Sequence, residues 1–303
     1  SARHRKRAAP SSIAKLPPIR FLMRLLPSPA AAVRRRLARE VHAVFHASAD
    51  EPRVTRSPDA LIAPDSVAWR VHGDVTTMMV GGIAALLLQM LHPAALAGVW
   101  DHSDFEADML GRLRRTARFI AITTYADRCE GIAIIDRVKR IHDQVDGTLP
   151  DGSRYAANDP ATLAFVHVAG ALCFLDAWIA YAEPRMAGAD QDAYFAEVAG
   201  TARALGADPV PTSRAEAEAL LDAFRPALRA DGRTARVRHL ILGAPATHPA
   251  AAAVQSMIIR AAIDVLPADA RTMHCLKESR LTRPMLNLGT SGLSRALRWA
   301  LSG

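Results

Sequence analysis

Two histidines lie where an imidazole inside a protein could bind a metal. His142 falls on the apolar stripe of the helix that the periodicity predicts over 131–145. His167 falls on a second such stripe, in the helix predicted over 160–182. A neutral imidazole that turns inward needs a partner for each ring nitrogen, and a metal ion is one such partner. Each histidine is therefore a candidate ligand, although a hydrogen bond to a backbone carbonyl would satisfy either ring as well.

A basic cluster lies upstream, in the segment "GRLRRTARF" (111–119). Arg112 and Thr116 are four residues apart in the helix predicted over 108–125 and share a face, with Arg115 beside them. Arginines in such a run are usually solvated. This helix continues into the apolar "FIAITTY", so one of its faces must be buried, and the three side chains are candidate site residues.

The polar connector "WDHSDFEAD" (100–108) supplies acidic candidates. It contains Asp101, His102, Asp104 and Glu106. Histidine and carboxylate side chains can together bind a metal ion directly, with no organic cofactor. A solvated connector that caps the next helix would have the same composition. Both interpretations stay open at this point.

Helical patterning dominates the elements that must position these residues. Ala, Leu and Arg fill long windows at a spacing of 3.6 residues, and alternating β-branched runs are almost absent. The pattern predicts an all-α fold, with a basic arm over 1–42 and one helical domain over 43–303. Further helices are predicted over 27–47, 75–97, 213–224, 234–243, 248–265 and 277–301. The segment "DGTLPDGSRYAANDP" predicts a loop, and its Asp159-Pro160 pair predicts a helix N-terminus.

Net charge is concentrated at one end of the chain. The 303 residues carry a net charge of +8, yet residues 1–42 contain eleven Lys/Arg and one acid, which leaves 27 basic and 29 acidic residues in the rest. The body is therefore nearly neutral, and we expect no nucleic-acid partner. The arm is either a solvated tail or a peripheral contact for an anionic membrane surface.

The longest apolar stretch raises the question of a membrane span. No formal charge occurs over 75–100, which is long enough to cross a bilayer. Gln89, His92 and Pro93 interrupt it, however, and lipid penalises unsatisfied polar groups that a protein interior can pair. The stretch predicts a buried core helix that Pro93 bends or ends.

Cysteine usage and missing motifs narrow the function. The three cysteines are widely spaced and form neither a disulfide framework nor a C-x-x-C pattern, which favours a reducing, cytoplasmic location. The chain also lacks the P-loop, the dinucleotide fingerprint, H-E-x-x-H and G-x-S-x-G. Nucleotide, zinc-peptidase and α/β-hydrolase chemistry are therefore disfavoured.

Four motifs follow one another in a recognisable order: "LLLQMLHPAALAGVWDHSDF", "GRLRRTARF", "RIHDQVDG" and "YAANDPATLAFVHV". Together they resemble the family that contains the bacterial rubber oxygenase of the latex clearing type and the fungal oxygenase of mycophenolic acid biosynthesis. The resemblance covers about 65–185 well and the remainder loosely. It implies a globin-like helical core that holds one non-covalent haem b. It also implies an oxygenase that acts with O₂ on a hydrophobic substrate such as an isoprenoid or another alkene.

The resemblance also implies roles for individual residues. In the rubber enzyme a histidine after an R-x-x-K-T motif is the axial iron ligand, and His142 best matches it, with His167 as the alternate near the site. Arg112 and Thr116 match the arginine and threonine of the motif, which lie near the haem. Arg115 stands where the rubber enzyme has lysine. Since a guanidinium stays protonated and is a poor ligand, we expect the sixth position to hold water or to be empty.

The chemistry that follows from the resemblance leaves alternatives. Arg112 and Thr116 would donate hydrogen bonds to dioxygen, a haem propionate or ordered water. Asp101 or Glu106 would take the part of the carboxylate that helps to cleave an alkene. The alternatives are a haem protein that binds a gas or ligand without turnover, the metal site of the connector, and a membrane-surface helical protein without cofactor.

Overall fold

The computed structural model describes residues 54–244 and 249–277, together with Gly292. The basic arm, the helix predicted over 27–47 and almost all of the one predicted over 277–301 lie outside the described residues. The described part forms eleven α-helices and a two-stranded sheet, so the predicted all-α fold is confirmed. The helices are α1 (Val67–His72), α2 (Val75–Gln89), α3 (Pro93–Asp101), α4 (Met109–Tyr125), α5 (Arg128–His142), α6 (Pro160–Tyr181), α7 (Gly188–Leu205), α8 (Arg214–Phe224), α9 (Gly232–Leu242), α10 (Pro249–Val265) and α11 (Ala268–Met273).

The core is built around the pair α2 and α6. Both helices are apolar on nearly every side, which is the pattern of a helix enclosed by protein. At Gly81 an added Cβ would lie 2.8 Å from the Cys173 carbonyl oxygen and from the Phe174 Cα, so the two backbones approach as closely as a glycine allows. Helices α8, α7 and α10 then pack around α6.

The apolar stretch is broken where Pro93 predicts it. Helix α2 ends at Gln89 and α3 begins at Pro93, with an angle of 101° between them. The proline occupies the first helical position, where its missing N–H costs nothing. His92 caps α3 by accepting from the Ala95 N–H at 3.4 Å, and its ring stacks on Phe165 at 4.7 Å. The stretch therefore forms two helices rather than the one predicted over 75–97.

Membrane-spanning potential is confined to the core helices in the described residues. Helix α6 is long and apolar enough to cross a bilayer, and α2 with α3 would qualify only as one bent span. In the most apolar window of α6, 67% of the residues are buried inside the protein. The core helix of a globular protein passes the same test of length and composition as a membrane span does.

A β-hairpin occupies the segment predicted to be a loop, so that prediction was wrong. Strands β1 (Asp146–Thr148) and β2 (Arg154–Ala156) pair antiparallel, with Gly147 opposite Tyr155. The Tyr155 hydroxyl would lie 2.7 Å from a Cβ at Gly147, so the glycine makes room for the ring. Beyond the hairpin, Asp159 accepts from the Thr162 N–H at 2.7 Å, which confirms the predicted start of α6.

Helices α4 and α5 form a second layer. They pack on each other, and α5 also packs on α7. Within the described residues α5 makes no extensive contact with α6. A buried polar network fixes α4: Nδ1 of His72 lies 2.9 Å from the Thr124 hydroxyl, and its Nε2 lies 3.1 Å from the Tyr194 hydroxyl. The network joins α1, α4 and α7, and so positions the residues that α4 carries.

Candidate functional site

Arg112 lies in the first turns of α4, half-buried. Burial holds its pKa below the ordinary arginine value, and the neighbouring Arg115 lowers it further. Among the described residues its guanidinium forms no hydrogen bond or ion pair. A half-buried cation without a counter-ion is unfavourable, because burial removes water that nothing replaces. Arg112 is therefore suited to receive an anionic group.

His142 is the last residue of α5 and is also half-buried. Its Nδ1 is enclosed and has no hydrogen-bond partner of normal geometry. Burial lowers the pKa of the ring and is the largest cause of the shift. The side chain of Asn158 raises this pKa, the charge of Arg112 lowers it, and the charge of Asp143 raises it. The imidazole is consequently neutral near pH 7, the form that binds metals. Since the charge of Arg112 reaches the ring, α4 and α5 bring these two predicted residues together.

Asn158 is a site residue that sequence reasoning missed. Its Nδ2 donates to the Lys139 carbonyl at 3.3 Å and to the carboxylate of Asp143, so the side chain lies over the last turn of α5. Its Oδ1 is buried without a partner. The residue stands in "YAANDP", between the hairpin and the cap of α6, where a turn residue was the natural interpretation. Only the tertiary fold places it beside His142.

His167 lies on α6. Its Nε2 is buried without a partner, and burial lowers its pKa to about 4, with a smaller contribution from Arg203 on α7. Gly170 and Phe174 continue the same face of the helix. A Cβ at Gly170 would lie 3.7 Å from the Phe174 ring, as would one at Gly82 of α2. Packing therefore does not require either glycine, unlike Gly81.

Arg115 and Thr116 are exposed. Arg115 forms an ion pair with Asp108 at 2.8 Å, and both side chains are largely in solvent. The carboxylate of Asp108 also accepts from the Gly111 N–H and caps α4. Thr116 follows Arg112 by one turn on the same side of the helix. Their roles toward a cofactor stay predictions.

Asp101 and Glu106 tie the connector to its neighbours. Asp101 accepts from the Tyr155 hydroxyl at 2.8 Å and lies 3.5 Å from Arg233 of α9. Glu106 pairs with Arg236 of α9 at 2.6 Å. Both acids are exposed. Burial and the bond to Asp101 raise the pKa of Tyr155 to about 12, so this hydroxyl stays a donor.

The alternative metal site on the connector lacks a ligand set. Within residues 54–244 and 249–277, no group of three or more His, Cys, Asp or Glu side chains could hold a metal ion. His102 instead places its Nε2 at 3.0 Å from the Asp146 carbonyl and at 3.2 Å from the Tyr155 hydroxyl.

Two cavities open on other faces of the described part. One, of about 370 Å³, lies on the outer side of α5; the other, of about 350 Å³, lies between α6 and α8. Neither is lined by Arg112, His142 or His167. The first is lined by His102, Arg137, Arg140, Ile141, Gln144 and Val145.

Comparison with known proteins agrees with the motif order. The model of the family described as ER-bound oxygenase mpaB/B'/Rubber oxygenase, catalytic domain, matches residues 69–300. No curated protein and no solved structure matches the chain significantly. The matched span is most of the chain and includes α2 to α11 together with the four motifs. The chain therefore belongs to the family of mpaB-type and rubber oxygenase catalytic domains.

Proposed function

We propose that the protein is a haem b-dependent oxygenase that oxidises a hydrophobic substrate with O₂. One observation carries the proposal: α4 and α5 bring together a neutral imidazole, His142, and a half-buried guanidinium, Arg112, that has no counter-ion among the described residues. A cofactor with a metal and an anionic group would use both residues, because the imidazole binds the metal and the guanidinium pairs with the anion.

These residues suit haem b in a globin-like core. The porphyrin supplies four of the iron ligands, so one histidine is enough, and a cluster of three protein ligands is not needed. His142 would hold the iron in this proposal, and His167 is the alternate. Arg112 would pair with a propionate or donate to an oxygen atom in the pocket.

The chain's own residues prepare the site for the chemistry of the cofactor. Haem b, when bound, supplies the redox chemistry with O₂. Burial and the charge of Arg112 keep His142 unprotonated and able to coordinate. Thr116 shares the side of α4 that carries Arg112, so its hydroxyl is a second donor toward the pocket. Arg115 stays protonated and paired with Asp108, so it provides charge rather than a ligand.

An apolar substrate fits the surroundings of His142. Ile134 and Val138 precede it at intervals of four residues on the same face of α5, and both are only half-buried. Apolar side chains with a few polar groups among them are typical of a small-molecule site. For the carboxylate we favour Asp101 over Glu106, because Tyr155 links Asp101 to the hairpin that leads to Asn158.

The absorption spectrum of the full chain, expressed with haem supply, tests the cofactor. We expect a Soret band that shifts on reduction and with carbon monoxide, and a haem extract of type b. His142→Ala should lose or alter these bands. His167→Ala is the matched variant and should keep the absorption bands of the wild type. A protein without a Soret band and without extractable haem contradicts the proposal. An unchanged spectrum in His142→Ala contradicts the ligand.

Oxygen consumption separates an oxygenase from a haem protein that only binds a gas. We expect uptake of O₂ that depends on an added isoprenoid or other apolar alkene. Asp101→Asn should slow it more than Glu106→Gln does. Haem-loaded protein that binds carbon monoxide but consumes no O₂ with any apolar substrate would favour the non-catalytic alternative.

Peripheral membrane contact through the basic arm 1–42 is a further part of the proposal. The description of the family includes an ER-bound oxygenase, and a basic arm is attracted to anionic lipid. Co-sedimentation with vesicles that contain phosphatidylserine tests it. Binding that survives deletion of the arm, or that is equal with neutral vesicles, contradicts it.

A further inference from the structure

Two buried polar atoms without partners lie on adjacent side chains at the end of α5. One is Nδ1 of His142 and the other is Oδ1 of Asn158. The Asn158 side chain lies over the last turn of α5, because it bonds to Lys139 and Asp143, which flank His142 in the chain. A buried acceptor and a buried donor that stay apart are unfavourable for both residues, and a single hydrogen bond between them removes both defects.

The orientation of the Asn158 amide is fixed by its other contacts. Its Nδ2 faces two acceptors, the Lys139 carbonyl and the Asp143 carboxylate, which come before and after His142 in the chain. An oxygen in that place would meet only other oxygens, so the amide cannot be flipped. These bonds hold Asn158 over the last turn of α5 and turn Oδ1 away from Lys139 and Asp143.

We infer that Asn158 is a positioning residue: its Oδ1 accepts a hydrogen bond from the Nδ1–H of His142 and leaves Nε2 of that ring for the iron. The inference rests on the proposed role of His142 as the axial ligand. Such a bond selects the tautomer, orients the ring and strengthens the histidine as a ligand. A role limited to capping α5 would use Nδ2 alone and would leave Oδ1 buried without a purpose.

The test compares two variants of the haem-loaded full chain. Asn158→Leu has nearly the same size but no acceptor, and Asn158→Asp keeps an acceptor of greater negative charge. Ser153→Ala is the control, because Ser153 lies at the exposed tip of the hairpin that precedes Asn158. The readouts are haem affinity, the iron–histidine stretching frequency of the ferrous protein in resonance Raman spectra, and the reduction potential. Circular dichroism checks that each variant is folded.

We expect Asn158→Leu to weaken haem binding about 10- to 100-fold, to lower the stretching frequency and to raise the potential. Asn158→Asp should shift the frequency and the potential in the opposite directions, and Ser153→Ala should change neither. Should Asn158→Leu not fold, the Asp variant decides alone. A frequency and a potential equal to those of the wild type in the folded Asn158 variants overturn this inference and leave His142 as ligand. A wild type without haem, or an unaltered spectrum in His142→Ala, overturns the proposed function and this inference with it.

Discussion

Helices α2 and α6 meet at Gly81 with no room for a methyl group, and Gln89 of α2 donates to the Val166 carbonyl of α6 at 2.9 Å. The layer of α4 and α5 differs in both respects. Ile134 and Val138 of α5 are only half-buried, and Arg112 has no counter-ion among the described residues. At Gly81 the pair of α2 and α6 leaves no space, whereas the layer of α4 and α5 keeps a charge for which no described residue supplies a counter-ion.

The buried histidines differ in how many of their ring nitrogens have a hydrogen-bond partner. His72 has both ring nitrogens within hydrogen-bond distance of hydroxyls, on α4 and α7. His142 and His167 each keep one enclosed nitrogen without a partner. A buried histidine with two partners has a structural role. One with a missing partner needs a further explanation, which for His142 is the hydrogen bond inferred to Asn158.

The largest effect expected from this contrast is on a core leucine. Leu175 of α6 is fully buried, so Leu175→Ala should lower the free energy of unfolding by about 2–5 kcal/mol. Val138→Ala, on the half-buried face of α5, should cost about 1 kcal/mol, because less area leaves water there. Urea denaturation of the protein without haem measures both. Equal losses would mean that the two layers are packed alike.

The pH dependence of stability is the second expected effect. Burial lowers the pKa of His72 from 6.5 to about 4. Between these values the unfolded chain binds more protons than the folded one, so stability should fall by up to about 3 kcal/mol as the pH drops from about 6.5 to about 4.

His72→Gln is the matched variant for this effect, because the amide keeps a donor and an acceptor but does not titrate. Its stability should vary less with pH over that window, and the remaining slope should come from the other histidines whose pKa values burial lowers, which are His92, His142, His167 and His274. Urea midpoints at several pH values between 4 and 7 give both slopes. Parallel slopes for wild type and variant would refute a buried neutral His72.

A comparison of adjacent glycines gives the third effect. Gly81→Ala should destabilise the protein by about 1–3 kcal/mol, because the new methyl group meets backbone of α6 that cannot move aside. Gly82→Ala places its methyl group 3.7 Å from the Phe174 ring. It should be neutral or stabilise the helix by up to about 1 kcal/mol. Thermal unfolding of the two variants distinguishes them, and a reversed order would refute the close approach of α2 and α6.

Much of the fold follows from sequence patterns that act locally. Helical periodicity predicted α4, α5, α6, α8, α9 and α10, but α7 and α11 were missed. Pro93 and Asp159 marked two helix starts, because capping and the missing proline N–H depend on neighbouring residues alone. The hairpin was missed because its strands have three residues each and their pairing rests on Tyr155 over Gly147. So short a strand carries too little alternation to be recognised.

The candidate site was predictable only in part. Apolar stripes and motif order singled out His142 and Arg112, and the fold places them together. Asn158 could not be predicted, since its partners Lys139 and Asp143 come from another element. Spacing also does not reveal that Arg115 pairs with Asp108 in solvent. The position of a long side chain on a helix face does not determine whether its charged end is buried or solvated.

The smallest expected effect on stability is at Arg112, where the contrast between the layers is sharpest. Arg112→Met keeps the length of the side chain and removes a half-buried charge that has no counter-ion among the described residues. Loss of such a charge relieves desolvation, so the stability of the haem-free protein should change by less than about 1 kcal/mol or rise. Haem binding should weaken nonetheless, because the anionic groups of the cofactor lose their partner.

The control is Arg154→Met, which removes an exposed surface charge paired with Asp146 and should leave haem affinity unchanged. Urea denaturation and haem titration of the two variants separate the quantities. If Arg112→Met destabilised the haem-free protein as a core substitution does, its guanidinium would be a structural group, and the layer of α4 and α5 would be a second core.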